Sequence, residues 1–247
     1  MQRQTMIAAA CLQLALAASA AGFDYSSYRA TKADVRTLEQ GLSEALKMES
    51  ELFPQGIGGV DIVLYDSRHV WLWSRSQRSL PKIGGFKGYT VYKVEHSGVV
   101  DARNMHGCRG SVSPLAEVAL GRENVAEHVF ECSPQSPWAV YHAKRSIYSD
   151  RDGYLTTITH EFGHQYLEQH GWNTPVVKRM WPEVRRLDHP KPYSVMGEAF
   201  ATWCELRAAR KLHPTFFAKL KADSSGPNRD PHVLGQKVAL KFLDPSR

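Results

Sequence analysis

The segment His160-Glu161-Phe162-Gly163-His164 constrains this chain more than any other. On an α-helix, positions four apart lie one above the other on the same face. His160 and His164 can therefore aim two imidazole nitrogens at one point, and Glu161 can reach a water molecule held there. Two imidazoles beside a carboxylate suit a metal ion with an open coordination position. Three fixed positions within five residues arise by chance in only about one chain of this size in a hundred. The neighbourhood agrees with a helix. From Tyr154 to His170, Leu155, Ile158, Phe162 and Tyr166 form an apolar stripe, and the two histidines fall on another face. Asp150 and Asp152 precede the stretch and Gly171 follows it, as start and stop signals should.

The expected metal is Zn²⁺, which takes nitrogen and oxygen donors and lowers the pKa of a bound water towards neutrality. A catalytic zinc has three protein ligands, so one is still to be found. Glu198 lies on a later helical segment, Met196 to Lys211, whose Phe200, Trp203 and Leu206 would face a core. The competitor is His170, ten positions after His160. That spacing resembles the third histidine of metzincins, which have a glycine at the position of Leu167 where their helix ends; leucine instead continues a helix. In a continuing helix His170 lies about 9 Å beyond His164, at about 1.5 Å per residue.

These motifs resemble those of the gluzincin metallopeptidases, which pair His-Glu-x-x-His with a glutamate on a later helix. The wording is closest to the lethal-factor-like gluzincins: His160 to His164, then Tyr193, then Glu198-Ala199-Phe200-Ala201. The resemblance covers residues 154 to 210 at most. It implies a zincin-like fold, with His160, His164 and Glu198 as zinc ligands and Glu161 as general base. It also implies that Tyr193 donates a hydrogen bond to the oxyanion formed at a scissile carbonyl. His189 is the backup for Tyr193, because a histidine has that role in some gluzincins. The alternative resemblance is to metzincins, with His170 as third ligand and Met196 in a Met-turn.

Thr202 and Glu205 lie four and seven residues beyond Glu198, on the same helix face, where either can support a ligating histidine. His106, His128 and His142 show no ligand spacing. The Trp71/Trp73 pair marks a strand face.

Arg3, an apolar run from Ile7 to Ala17 and the small residues Ala18-Ser19-Ala20 read as a secretory signal peptide over 1–20. The mature protein is thus expected to be secreted or periplasmic. Export permits a disulfide, and Cys108 with Cys132 is the expected pair, leaving Cys204 as a small buried hydrophobe. The net charge of +6 is spread along the chain, with local groups at Lys178-Arg179 and Arg185-Arg186. No nucleic-acid motif accompanies it, so a solvated basic surface is the expectation. No segment beyond the leader is apolar and long enough to span a bilayer.

Helical spacing runs from Thr31 to Leu52, with Thr31 and Asp34 as caps. Strand-like runs follow at Val60 to Tyr65, His69 to Trp73 and Tyr89 to Glu95, punctuated by Gly84-Gly85 and Gly88. A helix is expected within 114–130, a strand over Trp138 to Tyr148, and a helix over Val176 to Leu187 despite Pro182. The segment from Lys221 to Asp230 reads as loose and polar. Strands first and helices afterwards argue an α+β fold, with a small mixed sheet, an active-site helix and a following glutamate helix. The expected organisation is one domain over 21–247: a strand-rich part to about 150, a helical part over 151–220 and a tail.

Together these readings predict an exported zinc peptidase acting on a peptide or protein substrate, with exposed strand edges able to take an extended peptide. The rivals are a zinc-bearing binding protein without activity and a hydrolase of a non-protein amide such as cell-wall peptide. Glu161 argues for the enzymes, since a structural metal has no need of that carboxylate.

Overall fold

The computed structural model describes residues 29–58, 60–65, 69–95, 138–142, 151–222 and 229–243. The expected signal peptide, the Cys108–Cys132 pair, His106, His128 and the helix within 114–130 lie outside the described residues, as do 143–148 of the strand expected over Trp138 to Tyr148. The described elements are α1 (Lys32–Leu52), β1 (Asp61–Tyr65), β2 (His69–Ser74), β3 (Lys82–Phe86), β4 (Tyr89–Glu95), β5 (Trp138–His142), α2 (Arg151–His170), α3 (Pro175–Arg186), α4 (Pro192–Leu212), α5 (Pro214–Ala222) and α6 (Pro231–Lys241). Helices and a small sheet are thus both present, an α+β composition. Among the described residues they fall into two compact units: one holds 29–40 and the sheet, the other 41–57 and everything from α2 onwards.

The sheet has the order β3-β4-β2-β1-β5. The pairs β1–β2, β2–β4 and β3–β4 are antiparallel, while β5 runs parallel to β1 with Asp61 opposite Trp138 and Tyr65 opposite His142, which makes the sheet mixed. β3 was not expected, because Gly84-Gly85 reads as punctuation. Its pairing with β4 is fixed by the turn at Lys87 and Gly88, whose φ values of 45° and 85° are those a tight hairpin needs. Ile62, Leu64, Leu72, Trp73, Val91 and Tyr92 are buried. Trp73 donates its indole hydrogen to Glu39 Oε1 at 3.2 Å. Beside it Arg78 forms an ion pair with buried Asp61.

α1 starts as its sequence suggests. Thr31 N donates to Asp34 Oδ2 at 2.7 Å and Asp34 N donates to Thr31 Oγ1 at 3.2 Å, a reciprocal cap.

In the helical unit α4 is central and packs against α2, α3, α5 and α6. Its buried side chains include Val195, Met196, Phe200, Leu206 and the free thiol Cys204. α2 lays Leu155, Ile158, Phe162 and Tyr166 into the same core, the stripe read from the sequence. Each such side chain contributes about 1.5–3 kcal/mol relative to exposure. α2 ends where Gly171, at φ 73°, donates its N–H to Leu167 O at 2.8 Å. α6 was unforeseen, although Asp230 caps it and Pro231 occupies its first position, which together form a helix-start signal. Among the described residues no helix is long and apolar enough to cross a membrane.

Candidate metal centre

His160 and His164 lie one turn apart on α2, and Glu198 meets them from α4. Their donor atoms converge. The two histidine Nε2 atoms are 3.2 Å apart, His160 Nε2 is 3.4 Å from Glu198 Oε2, and His164 Nε2 is 3.6 Å from Glu198 Oε1. These three residues form the group that can hold a metal ion among the described residues. Glu198 Oε2 is buried without a hydrogen-bond partner. A buried oxygen in that state is costly unless something pairs with it, and a cation shared with the two imidazoles meets the need.

Two close helix approaches bring the groups together. A β-carbon on Gly163 would stand 2.8 Å from Ala201 Cα, and one on Gly235 would stand 2.6 Å from Glu198 Cβ. Glycine at both positions lets α2 and α6 approach the backbone of α4 at the level of the donors. Gly163 lies between the two histidines in sequence, and Ala201 is one turn beyond Glu198.

Glu205 supports the site from behind. It is buried, accepts a hydrogen bond from Thr156 Oγ1 at 3.0 Å, and places Oε2 3.3 Å from His160 Nδ1, within ion-pair range though off the hydrogen-bond line. Spacing alone left Thr202 and Glu205 open; the contact belongs to Glu205. A carboxylate there fixes the orientation of a ligating imidazole and raises its basicity. Burial disfavours charge on His160, but the carboxylates of Glu198 and Glu205 beside its ring outweigh it, so its pKa is raised well above the ordinary histidine value. Glu198 is also disfavoured as an anion by burial, yet the charge of His164 and the two imidazoles facing its carboxylate hold its pKa well below the usual carboxylate range.

Glu161 is half-exposed, and among the described residues no hydrogen bond or ion pair engages its carboxylate. His170 is placed elsewhere: α2 continues through Leu167, and His170 Nε2 lies 2.8 Å from Gly56 O. Tyr193 sits in the first turn of α4, 61% exposed, with its ring against Trp172 and Trp181. The helix expected from Met196 starts earlier, at Pro192. His189 accepts the Lys191 N–H through Nδ1 at 3.1 Å.

One residue of this neighbourhood escaped the sequence reading. His232, on the first turn of α6, places Nε2 3.3 Å from Glu198 Oε1, and its Nδ1 lies 3.1 Å from Asp230 Oδ1. The Asp230-Pro231 start signal could have revealed the helix, but no sequence spacing links His232 to the donors.

Comparison with family models, with curated proteins and with solved structures found no match for the chain.

Proposed function

We propose that this protein is an exported zinc metallopeptidase of gluzincin type with a zincin-like fold, in which His160, His164 and Glu198 hold Zn²⁺. The observation that carries the reading is the convergence of those donors at 3.2, 3.4 and 3.6 Å from two helices. Zinc bonds of about 2.0–2.2 Å at tetrahedral angles separate their ligand atoms by about 3.3–3.5 Å. Two imidazoles and one carboxylate match a catalytic rather than a structural donor set.

Bound there, zinc supplies Lewis acidity towards a carbonyl and a water acidic near neutrality. The chain's own residues do the rest. Glu161, whose carboxylate no described residue engages, accepts the proton of the attacking water and delivers it to the leaving amine. His232, whose Nδ1 faces Asp230 and whose Nε2 lies beside Glu198, would serve as a donor to the oxyanion. Tyr193 remains the donor suggested by resemblance. Glu205 and Thr156 keep His160 oriented. The leader-like residues 1–20 support export.

The test is Glu161→Gln in the zinc-loaded protein, assayed against a peptide library. Lost hydrolysis with zinc content retained supports the peptidase. A folded, zinc-loaded wild type that cleaves no peptide contradicts it and favours a binding protein; cleavage confined to cell-wall peptide makes the enzyme a wall amidase.

A further inference from the structure

Three aromatic rings from three segments meet beside the donor group. Trp172 follows the end of α2, Trp181 lies on α3 and Tyr193 opens α4. Tyr193 packs edge-on against Trp172 at 5.7 Å and tilted against Trp181 at 5.1 Å. Both tryptophans are half-buried, while Tyr193 is 61% exposed, one of only two large hydrophobic residues so exposed among those described. The cluster is therefore packed yet open to solvent, unlike a core cluster such as Phe200 and Trp203.

The rings reach the candidate metal centre through Gly197. A β-carbon on that glycine would lie 3.6 Å from Trp172 Cη2 and 3.7 Å from His164 Nδ1. Trp172 and the ligand histidine thus flank the same bare stretch of backbone, immediately before Glu198. From His164 the aromatic surface runs over Trp172 to Tyr193 and Trp181 and out to solvent. An apolar surface ending at a reactive centre buries a substrate side chain and fixes where the reacting bond lies.

We propose that Trp172, Trp181 and Tyr193 form the specificity surface of this site, taking an apolar or aromatic side chain of a peptide next to the bond to be cleaved. The proposal rests on the peptidase reading for its cleavage arm but not for its binding arm. Rigid aromatic rings gain contact area with little loss of side-chain freedom, so the surface selects large apolar side chains over glycine.

The experiment uses the full mature chain loaded with zinc. A peptide library is digested and the residues flanking each cut are read by mass spectrometry. Two peptides differing only in Phe or Gly at the selected position are then compared on wild type, Trp181→Ala and Trp181→Phe. The expected result is an apolar preference at one flanking position. Trp181→Ala should lower kcat/KM at least tenfold for the Phe peptide, through KM, with little change for the Gly peptide, and Trp181→Phe should restore most of the loss. In parallel, zinc-loaded Glu161→Gln is titrated with both peptides by tryptophan fluorescence, with and without Trp181→Ala. If wild type cleaves nothing but the Phe peptide still binds through Trp181, the peptidase reading falls and the apolar surface stands. Equal binding of both peptides, or a preference untouched by Trp181→Ala, overturns the surface whatever the outcome of cleavage.

Discussion

Gly163 of α2 lies so close to Ala201 of α4 that a β-carbon on it would stand 2.8 Å from Ala201 Cα. This contact sets how near the histidine helix comes to the glutamate helix. Intrinsic propensity alone would make Gly163→Ala stabilising by about 1 kcal/mol. The crossing reverses that sign. The substitution is expected to destabilise the fold by about 1–3 kcal/mol, as overpacking does, and to weaken metal binding by spreading the donors. Urea midpoints and zinc competition titrations check both effects; a stabilised variant with unchanged zinc affinity would contradict this account.

Glu205 should matter to the metal without touching it. Glu205→Gln keeps the volume and can still accept from Thr156, but it removes the negative charge 3.3 Å from His160 Nδ1. Zinc affinity is expected to drop about 10–100-fold with the circular dichroism spectrum unchanged. An affinity equal to wild type would remove Glu205 from the site.

His232 is expected to act on turnover rather than on metal content. His232→Ala should lower kcat about 10²-fold or more, the usual cost of removing an oxyanion donor, while zinc stays bound. Asp230→Asn should show a smaller loss of the same kind. Loss of zinc on His232→Ala would instead make this histidine part of the metal set.

The metal-free protein should carry the signature of its coupled site in its pH profile. The raised pKa of His160 gives stability that is fully present below about pH 6.5, the unfolded value, and is lost as pH rises through the folded value, which lies well above. The lowered pKa of Glu198 gives stability present above about pH 4.3 and lost as pH falls through its much lower folded value. Urea midpoints of chelator-treated protein should therefore peak in the mildly acid to neutral range and fall towards alkaline pH. Bound zinc should flatten the alkaline fall, because metal binding displaces the proton that is otherwise lost. A metal-free midpoint that keeps rising to pH 9 would contradict the direction given for His160.

What could be read from the sequence follows from the range of each interaction. The ends of α1 and α2 were readable because their signals are local: Thr31 with Asp34, and Gly171. The stripe of Leu155, Ile158, Phe162 and Tyr166 is a periodicity, and periodicity survives folding. β3 was missed because Gly84-Gly85 carries no strand signal, and only its hairpin with β4 makes it a strand. In the candidate site, Glu205 could be foreseen because it shares a helix with Glu198. His232 could not, since its 3.3 Å approach to Glu198 depends on how α6 packs on α4 through Gly235. Tyr193 was assigned by resemblance alone; its neighbours in the fold are Trp172 and Trp181, which no local pattern joins.

The most direct test is zinc content per chain by elemental analysis, on the purified protein and on Glu198→Ala and His170→Ala variants. The account predicts about one zinc per chain in wild type and in His170→Ala, and little in Glu198→Ala, as three convergent ligands require. Retention by Glu198→Ala with loss in His170→Ala, or a wild type that takes up no zinc when supplied with it, would contradict it.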